Sequence, residues 1–211
     1  MDGSGLWKSD DGKSALGHRR LAILDTTDAG AQPMPSGDGM AVITFNGEIY
    51  NYVELANRLK QEGVRFNSQC DTEVLLAAWQ RWGENCLSHL NGMFAFAILD
   101  RRRNILFCAR DRYGEKPFLF HRTDDFFAFA SEYKALLPLM GGRPEIDETR
   151  LLRFLVSPRQ GLDDGRQTVF PGIQQLLPGE MATLDLSSLS LSISRYWNIE
   201  AGSADASLSD D

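Results

Sequence analysis

Cysteine is scarce in this sequence: Cys70, Cys86 and Cys108 are the three among 211 residues, too few and too scattered for a disulfide framework or a zinc knuckle. With no secretory leader legible, such usage predicts reduced thiols and a cytoplasmic protein. Histidine is as sparse. His18, His89 and His121 fit neither a metal-ligand spacing nor a Ser-His-Asp constellation, so a structural role is expected for each and no metal is expected. Long apolar runs are missing: none approaches the ~18 residues of a membrane-spanning helix, and no membrane partner is expected. Positive charge is in deficit, 22 Lys+Arg against 29 Asp+Glu for a net charge of -7. A surface of that sign repels phosphate backbones, which argues against nucleic acid as a partner. Internal repeats are lacking as well.

What is present can build a core: 43% of residues are hydrophobic, enough for one large domain or two small ones. The opening "MDGSGLW" reads as a loop, because Asp2-Gly3-Ser4-Gly5 carries turn chemistry. Segments 15–24 and 40–45 read as strands around a turn-rich stretch, "DAGAQPMPSGDG". Helices are predicted over 51–63, from Val53, Leu55, Ala56 and Leu59 with Gly63 at the end, and over 70–83, with Asp71 or Thr72 as N-cap and Gly83 as stop. Apolar runs at 92–100, 104–110, 117–121 and 126–131 predict an antiparallel meander. Segments 132–140 and 147–156 look helical, and 179–186 and 191–197 look like strands. The ending "AGSADASLSDD" is small and acidic and reads as a flexible tail. Two early helices with many antiparallel strands predict an α+β layered domain.

Three stretches carry possible chemistry. In "TFNGEIYN" (44–51) a strand runs into Asn46-Gly47. A side-chain amide beside a glycine N–H offers two neutral donors of the kind an oxyanion hole uses, although the dipeptide alone reads more plainly as a turn. In "HRRLAIL" (18–24), Arg19 and Arg20 point to opposite faces of a strand, so one can face inward and hold a carboxylate while the other is solvated. Asp71, at a helix start, is an N-cap by itself and the acceptor of a ligand ammonium in a sharper reading. Arg110-Asp111-Arg112 reads as an ion-paired, structural turn.

Taken in order, "LGHRRLAILD", "FNGEIYNYVEL", "DTEVLLAAW", "LNGMFAFAILD", "ARDRYGEKPF" and "FASEYKALL" resemble the glutamine-hydrolysing half of asparagine synthetases. The resemblance covers residues 1–197 and implies a class II glutamine amidotransferase domain with the N-terminal-nucleophile hydrolase fold, a four-layer αββα sandwich of antiparallel sheets. Residues 198–211 become a tail leading toward a synthetase domain. The implied reaction hydrolyses glutamine to glutamate and ammonia through an N-terminal cysteine whose α-amine is the base. The ammonia then serves ATP-dependent amidation of aspartate. The resemblance assigns Arg20 to the α-carboxylate of glutamine and Asp71 to its α-ammonium. Asn46 and Gly47 become the oxyanion hole, with Glu48 beside the pocket. ATP and Mg are expected only with the synthetase domain, none in this chain. The implied partners are glutamine, that domain or subunit, and a second copy as a homodimer.

The sequence also departs from the family pattern. Members begin Cys-Gly-Ile and pass through a strand, a helix and an Arg-Gly-Pro-Asp motif before the equivalent of "DGSGLW". Met1 therefore reads as a break, with the nucleophile, first strand and first helix absent, and the 211 residues are expected to be an inactive, aggregation-prone fragment. Cys70, next to Asp71, is the best substitute nucleophile but has no α-amine or neighbouring histidine to activate it. Cys86 and Cys108 read as small buried hydrophobes. The alternatives are a non-catalytic amino-acid-binding module, an enzyme completed in trans by a separate peptide, and an amidotransferase for another acceptor.

Overall fold

In the computed structural model, residues 3–20, 28–141, 145–158, 161 and 165–199 are described. The expected tail lies outside them from residue 200 onward, as do 21–24 of the strand expected over 15–24.

The centre is a six-stranded antiparallel sheet in the order β11-β10-β6-β5-β4-β3. Its strands are β3 (Met34–Pro35), β4 (Ala41–Ile49), β5 (Gly92–Asp100), β6 (Ile105–Arg110), β10 (Glu180–Asp185) and β11 (Leu191–Arg195). Alternation sorts their side chains between two cores. Ile43, Phe45, Phe94, Phe96, Ile98 and Phe107 join the helices α1 (Tyr52–Gln61) and α2 (Asp71–Trp82) on one side. Val42, Ala95, Ala97, Leu99, Cys108 and Ala182 face the other side. Strands buried on both faces explain why the meander reads as near-continuous apolar runs.

On that second face sit a three-stranded sheet, β8-β7-β9, and a two-stranded hairpin. β7 (Leu119–Arg122), β8 (Phe127–Ala130) and β9 (Ile173–Gln175) bring Phe120, Phe127 and Phe129 inward, joined by Phe118 just before β7. Their outer face packs Leu119 and Ile173 against α3 (Tyr133–Leu136) and the 3-10 turn that follows it. The layers are thus helix, sheet, sheet, helix. A further helix, α4 (Glu148–Val156), is N-capped by Asp147, whose Oδ1 accepts from the Arg150 N–H at 3.0 Å; its Leu152, Leu155 and Val156 are exposed.

Several expectations need correction. The opening is a strand: β1 (Gly3–Lys8) pairs with β2 (Ala15–Arg20) in a hairpin. Its glycines permit a close approach, because a Cβ on Gly5 would stand 2.1 Å from the Gln32 carbonyl oxygen. β3 and β9 are too short to leave a periodic trace. Val53 faces solvent, whereas Leu55 and Leu59 are buried. Gly63 does end α1, with φ +89, its N–H donating to Lys60 O and the Val64 N–H to Leu59 O, the paired bonds of a Schellman stop. The helix expected over 132–140 becomes α3 plus a 3-10 turn containing Pro138, whose ring removes a helical N–H.

The turn at Arg110–Arg112 is held by neutral partners rather than by ion pairs. Arg110 donates to the carbonyls of Gly114, Lys116 and Leu176 and to Gln175 Oε1, at 2.6–2.9 Å. Asp111 is buried and accepts from the backbone N–H groups of Phe94, Tyr113, Glu115 and Lys116. Each charge is dispersed over peptide dipoles aimed at it, which is how an isolated ion is tolerated inside a protein.

Candidate functional site

Asn46 and Gly47 do not form a turn. They lie inside β4, opposite Ala95 and Phe94 of β5. Gly47 is required there by contact: at φ +154, a Cβ would meet the Met93 carbonyl oxygen at 2.1 Å and Phe94 Cα at 2.7 Å.

The direction of the backbone N–H groups follows from the ladder. Strand β3 covers β4 only at Val42 and Ile43, so the same edge is open from Thr44 onward. Phe45 N–H donates across it to Gln32 Oε1 at 2.7 Å, and Ile49 N–H to Asp71 Oδ2 at 3.0 Å. The Tyr50 N–H, one residue on, points the other way and donates to Asn91 O. Alternation therefore turns the Gly47 N–H to the open edge, between two positions filled by side-chain acceptors. No side chain among the described residues accepts from it. The Asn46 side chain stands beside it on the face shared by Thr44 and Glu48, and its Nδ2 donates to Ser131 Oγ at 3.3 Å. That bond uses one N–H of the amide and leaves the second available.

Asp71 is not the N-cap of α2. Cys70 holds that position without a side-chain bond, and Asp71, in the first helical turn, directs its carboxylate sideways to the end of β4. It is 6% exposed. Burial, the largest influence, pushes its carboxyl above the usual carboxylate range; the Ile49 and Thr72 amides pull against this, and the Glu48 charge adds to it. One oxygen is committed to Ile49, and a ligand cation would both pair with the carboxylate and relieve the cost of its burial.

Arg20 belongs to the inner face of the hairpin, as the alternation expects: Leu16 is buried, His18 and Arg20 are half-buried, and Arg19 is exposed. Leu16 shares an apolar cluster with Val42, and His18 Nδ1 lies 3.3 Å from Thr44 Oγ1. The contacts step along β4 toward Asn46, and Arg20 is the next residue of that face. Burial, then the Arg20 charge, holds the His18 imidazole below its usual range. The structure thus joins Asn46, Gly47, Glu48 and Asp71 around one strand end and brings Arg20 in on the facing hairpin. Ser131 and Gln32 also touch this strand; Gln32 carries no motif, and Ser131 sits in "FASEYKALL" with no role that the sequence assigns to it.

A cavity of about 510 Å³, lined in part by Arg110, Ser131, Tyr133 and Gln175, opens beside Asn46, within the size range of small-molecule sites. A second, of about 470 Å³, lies over the hairpin at Ser4, Leu6, His18 and Arg19 and includes none of the four strand-end residues.

The thiols are poor nucleophiles. Burial is the largest influence on each, pushing Cys86 up to about 12 and raising Cys108 further and Cys70 as well. Cys70 Sγ lies 2.9 Å from Ser68 Oγ. Among the described residues no group of His, Cys, Asp and Glu could hold a metal ion, and no helix is long and apolar enough to cross a membrane.

Residues 1–197 match the glutamine amidotransferase domain family. Glutamine-hydrolyzing asparagine synthetase 3 of Bacillus subtilis (strain 168) is 41% identical over 190 residues, 88% of this chain and 30% of that protein. A putative glutamine-hydrolyzing asparagine synthetase of Mycobacterium tuberculosis is 38% identical over 207 residues, 93% of this chain and 31% of its own length. The chain spans about three-tenths of these curated relatives. Among solved structures, the glutamine phosphoribosylpyrophosphate amidotransferase of B. subtilis aligns with a TM-score of 0.61 at 23% identity, over 87% of this chain and 35% of that one. That likeness establishes the sandwich of the N-terminal-nucleophile hydrolases as the fold.

Proposed function

The chain belongs to the glutamine amidotransferase domain family, and from that premise we propose that it forms the glutamine-holding and oxyanion-stabilising part of a glutaminase in an asparagine-synthetase-type protein. The observation that carries this reading is the open edge of β4, which bears the Gly47 N–H next to the Asn46 side chain and, two residues on, the Ile49 N–H bonded to the buried Asp71 carboxylate. Asp71 takes the α-ammonium of glutamine and Arg20 its α-carboxylate. Glu48 adds negative charge beside the ammonium. The side-chain amide then lies against Asn46 and Gly47, whose donors stabilise the oxyanion formed when a nucleophile adds to the amide carbon. Ammonia leaves, and water releases glutamate.

The nucleophile comes from outside these 211 residues, because the three thiols here are buried and held protonated. The ammonia serves ATP-dependent amidation, with aspartate as the acceptor and ATP and Mg bound by a synthetase domain or subunit; a homodimer is part of the same proposal. The inert thiols also favour a second reading, an amino-acid-binding module without catalysis.

Titration calorimetry with L-glutamine tests the site. Saturable binding is expected, with D-glutamine and glutarate much weaker because each breaks the two-charge match. Absence of heat at millimolar L-glutamine would overturn the reading. An ammonia-release assay on the 211-residue chain is expected to stay at background. Release abolished by Cys70→Ser would refute the external nucleophile.

A further inference from the structure

We infer that Gln32, in the turn-rich segment before β3, is a positioning residue for the glutamine site. The inference rests on the functional reading above and extends it to a residue that touches no ligand group.

Its side-chain amide divides between two elements. Oε1 accepts from the Phe45 N–H at 2.7 Å, and Nε2 donates to Thr72 Oγ1 at 3.2 Å. Phe45 lies two residues before Gly47 on the same open edge, and Thr72 follows Asp71 in the first turn of α2. Thr72 is 3% exposed and Gln32 half-buried, so the Gln32–Thr72 bond is partly shielded from water.

A third element meets the backbone of the same residue. The Gln32 carbonyl oxygen lies where a Cβ of Gly5 would approach to 2.1 Å, so β1 is seated directly against it. β1 is paired to β2, which carries Arg20. One residue therefore links the strand holding the oxyanion donors, the helix holding the ammonium acceptor and the hairpin holding the carboxylate partner. Gln32 and Asp71 also bracket the Gly47 N–H by filling its neighbours at Phe45 and Ile49. That fixes the edge without covering its middle donor. Distances between donors matter at the level of a fraction of an ångström in such sites, and an amide with one oxygen and one nitrogen suits the two opposite demands placed on it.

The test compares the parent chain with Gln32→Met, Gln32→Glu and Thr72→Val. L-glutamine affinity is read by calorimetry at about pH 8, where ordinary carboxylates are ionised, and each variant is held below its own melting transition. Gln32→Met removes both bonds at similar length and is expected to weaken binding at least about tenfold. Gln32→Glu keeps an acceptor for Phe45 and can accept from the Thr72 hydroxyl, so it is expected to recover most of the affinity. Thr72→Val breaks only the helix arm, and its effect is expected to be absorbed in the double variant with Gln32→Met. Lower melting temperatures with parental affinity across the folded variants would overturn the inference, leaving Gln32 a purely structural residue. If Gln32→Met does not fold, unchanged affinity in Thr72→Val overturns it instead. A parent chain that binds no glutamine would overturn the functional reading itself, and the inference with it.

Discussion

Asp71 offers a test in which stability and ligand binding move apart. Its carboxylate is buried, is raised above its usual range chiefly by that burial, and has one oxygen on the Ile49 N–H at 3.0 Å. Asp71→Ala strands that buried N–H, at a cost of about 1–3 kcal/mol, or roughly 3–10 °C in a domain of this length. Asp71→Asn keeps an oxygen for the amide while removing the desolvated charge and its repulsion by Glu48, so it is expected to stay within about 1 kcal/mol of the parent. The pH dependence gives the sign. A carboxyl whose folded pKa is raised contributes stability below its unfolded pKa, and that contribution is lost as pH rises through the folded value. The parent therefore loses this term while the asparagine variant does not, and the melting temperature of Asp71→Asn relative to parent should rise between about pH 4 and pH 8. L-glutamine affinity should fall at least about thirtyfold in the same variant, since the α-ammonium loses a charged partner. Circular-dichroism melts across the pH range and calorimetry with glutamine measure both. A variant that becomes steadily less stable than the parent as pH rises would show that ionised Asp71 stabilises the free fold, which refutes the reasoning.

Gly47→Ala should destabilise by at least about 3 kcal/mol in urea unfolding, since the added methyl meets the Met93 carbonyl at 2.1 Å; a cost under about 1 kcal/mol would mean that the strands separate easily. Asp111→Ala should cost at least about 3 kcal/mol because four backbone N–H groups lose their acceptor, with Asp111→Asn intermediate; chemical denaturation at constant m-value checks this. Ellman's reagent should find no fast thiol in the native chain and three after denaturation, given the burial of Cys70, Cys86 and Cys108; one rapidly reacting native thiol would contradict the packing.

The parts legible in sequence share a physical cause. β5 and β6 could be read because residues buried on both faces leave an unbroken apolar run; α1 could be read because Leu55 and Leu59 bury on helical spacing before Gly63, and α2 because the apolar run Val74–Trp79 is long for a strand and ends at Gly83. β1 was not legible, since "GSGLWK" has turn residues and weak strand preference, and pairing with β2 together with contact at Gln32 decides its conformation. Asp71 was half legible. Its type and place suggested an anion at a helix start, but periodicity cannot tell a cap from a carboxylate aimed at another strand. The Asn46-Gly47 dipeptide looked like a turn because turns and strand ends both favour a residue without Cβ, and only the register with β5 separates them. Gln32 and Ser131 act through bonds to groups far away in the chain, Phe45 and Thr72 for the one and Asn46 for the other, which leave no spacing to read.

The two faces of the central sheet differ in bulk. Toward the helices, β5 presents Phe94, Phe96 and Ile98; toward the second layer it presents Ala95 and Ala97 before Leu99, with Cys108 and Ala182 alongside. Small side chains there let the hairpin and the aromatic face of the three-stranded sheet settle close. The hairpin that carries Arg20 on its inner face packs across the gap between layers against β4. In the proposed glutamine site, thickness of the sandwich thus becomes a dimension of the pocket, set by methyl groups that no ligand touches. Growth of Ala97 into a valine would act as a shim, pushing the two layers apart from within the core.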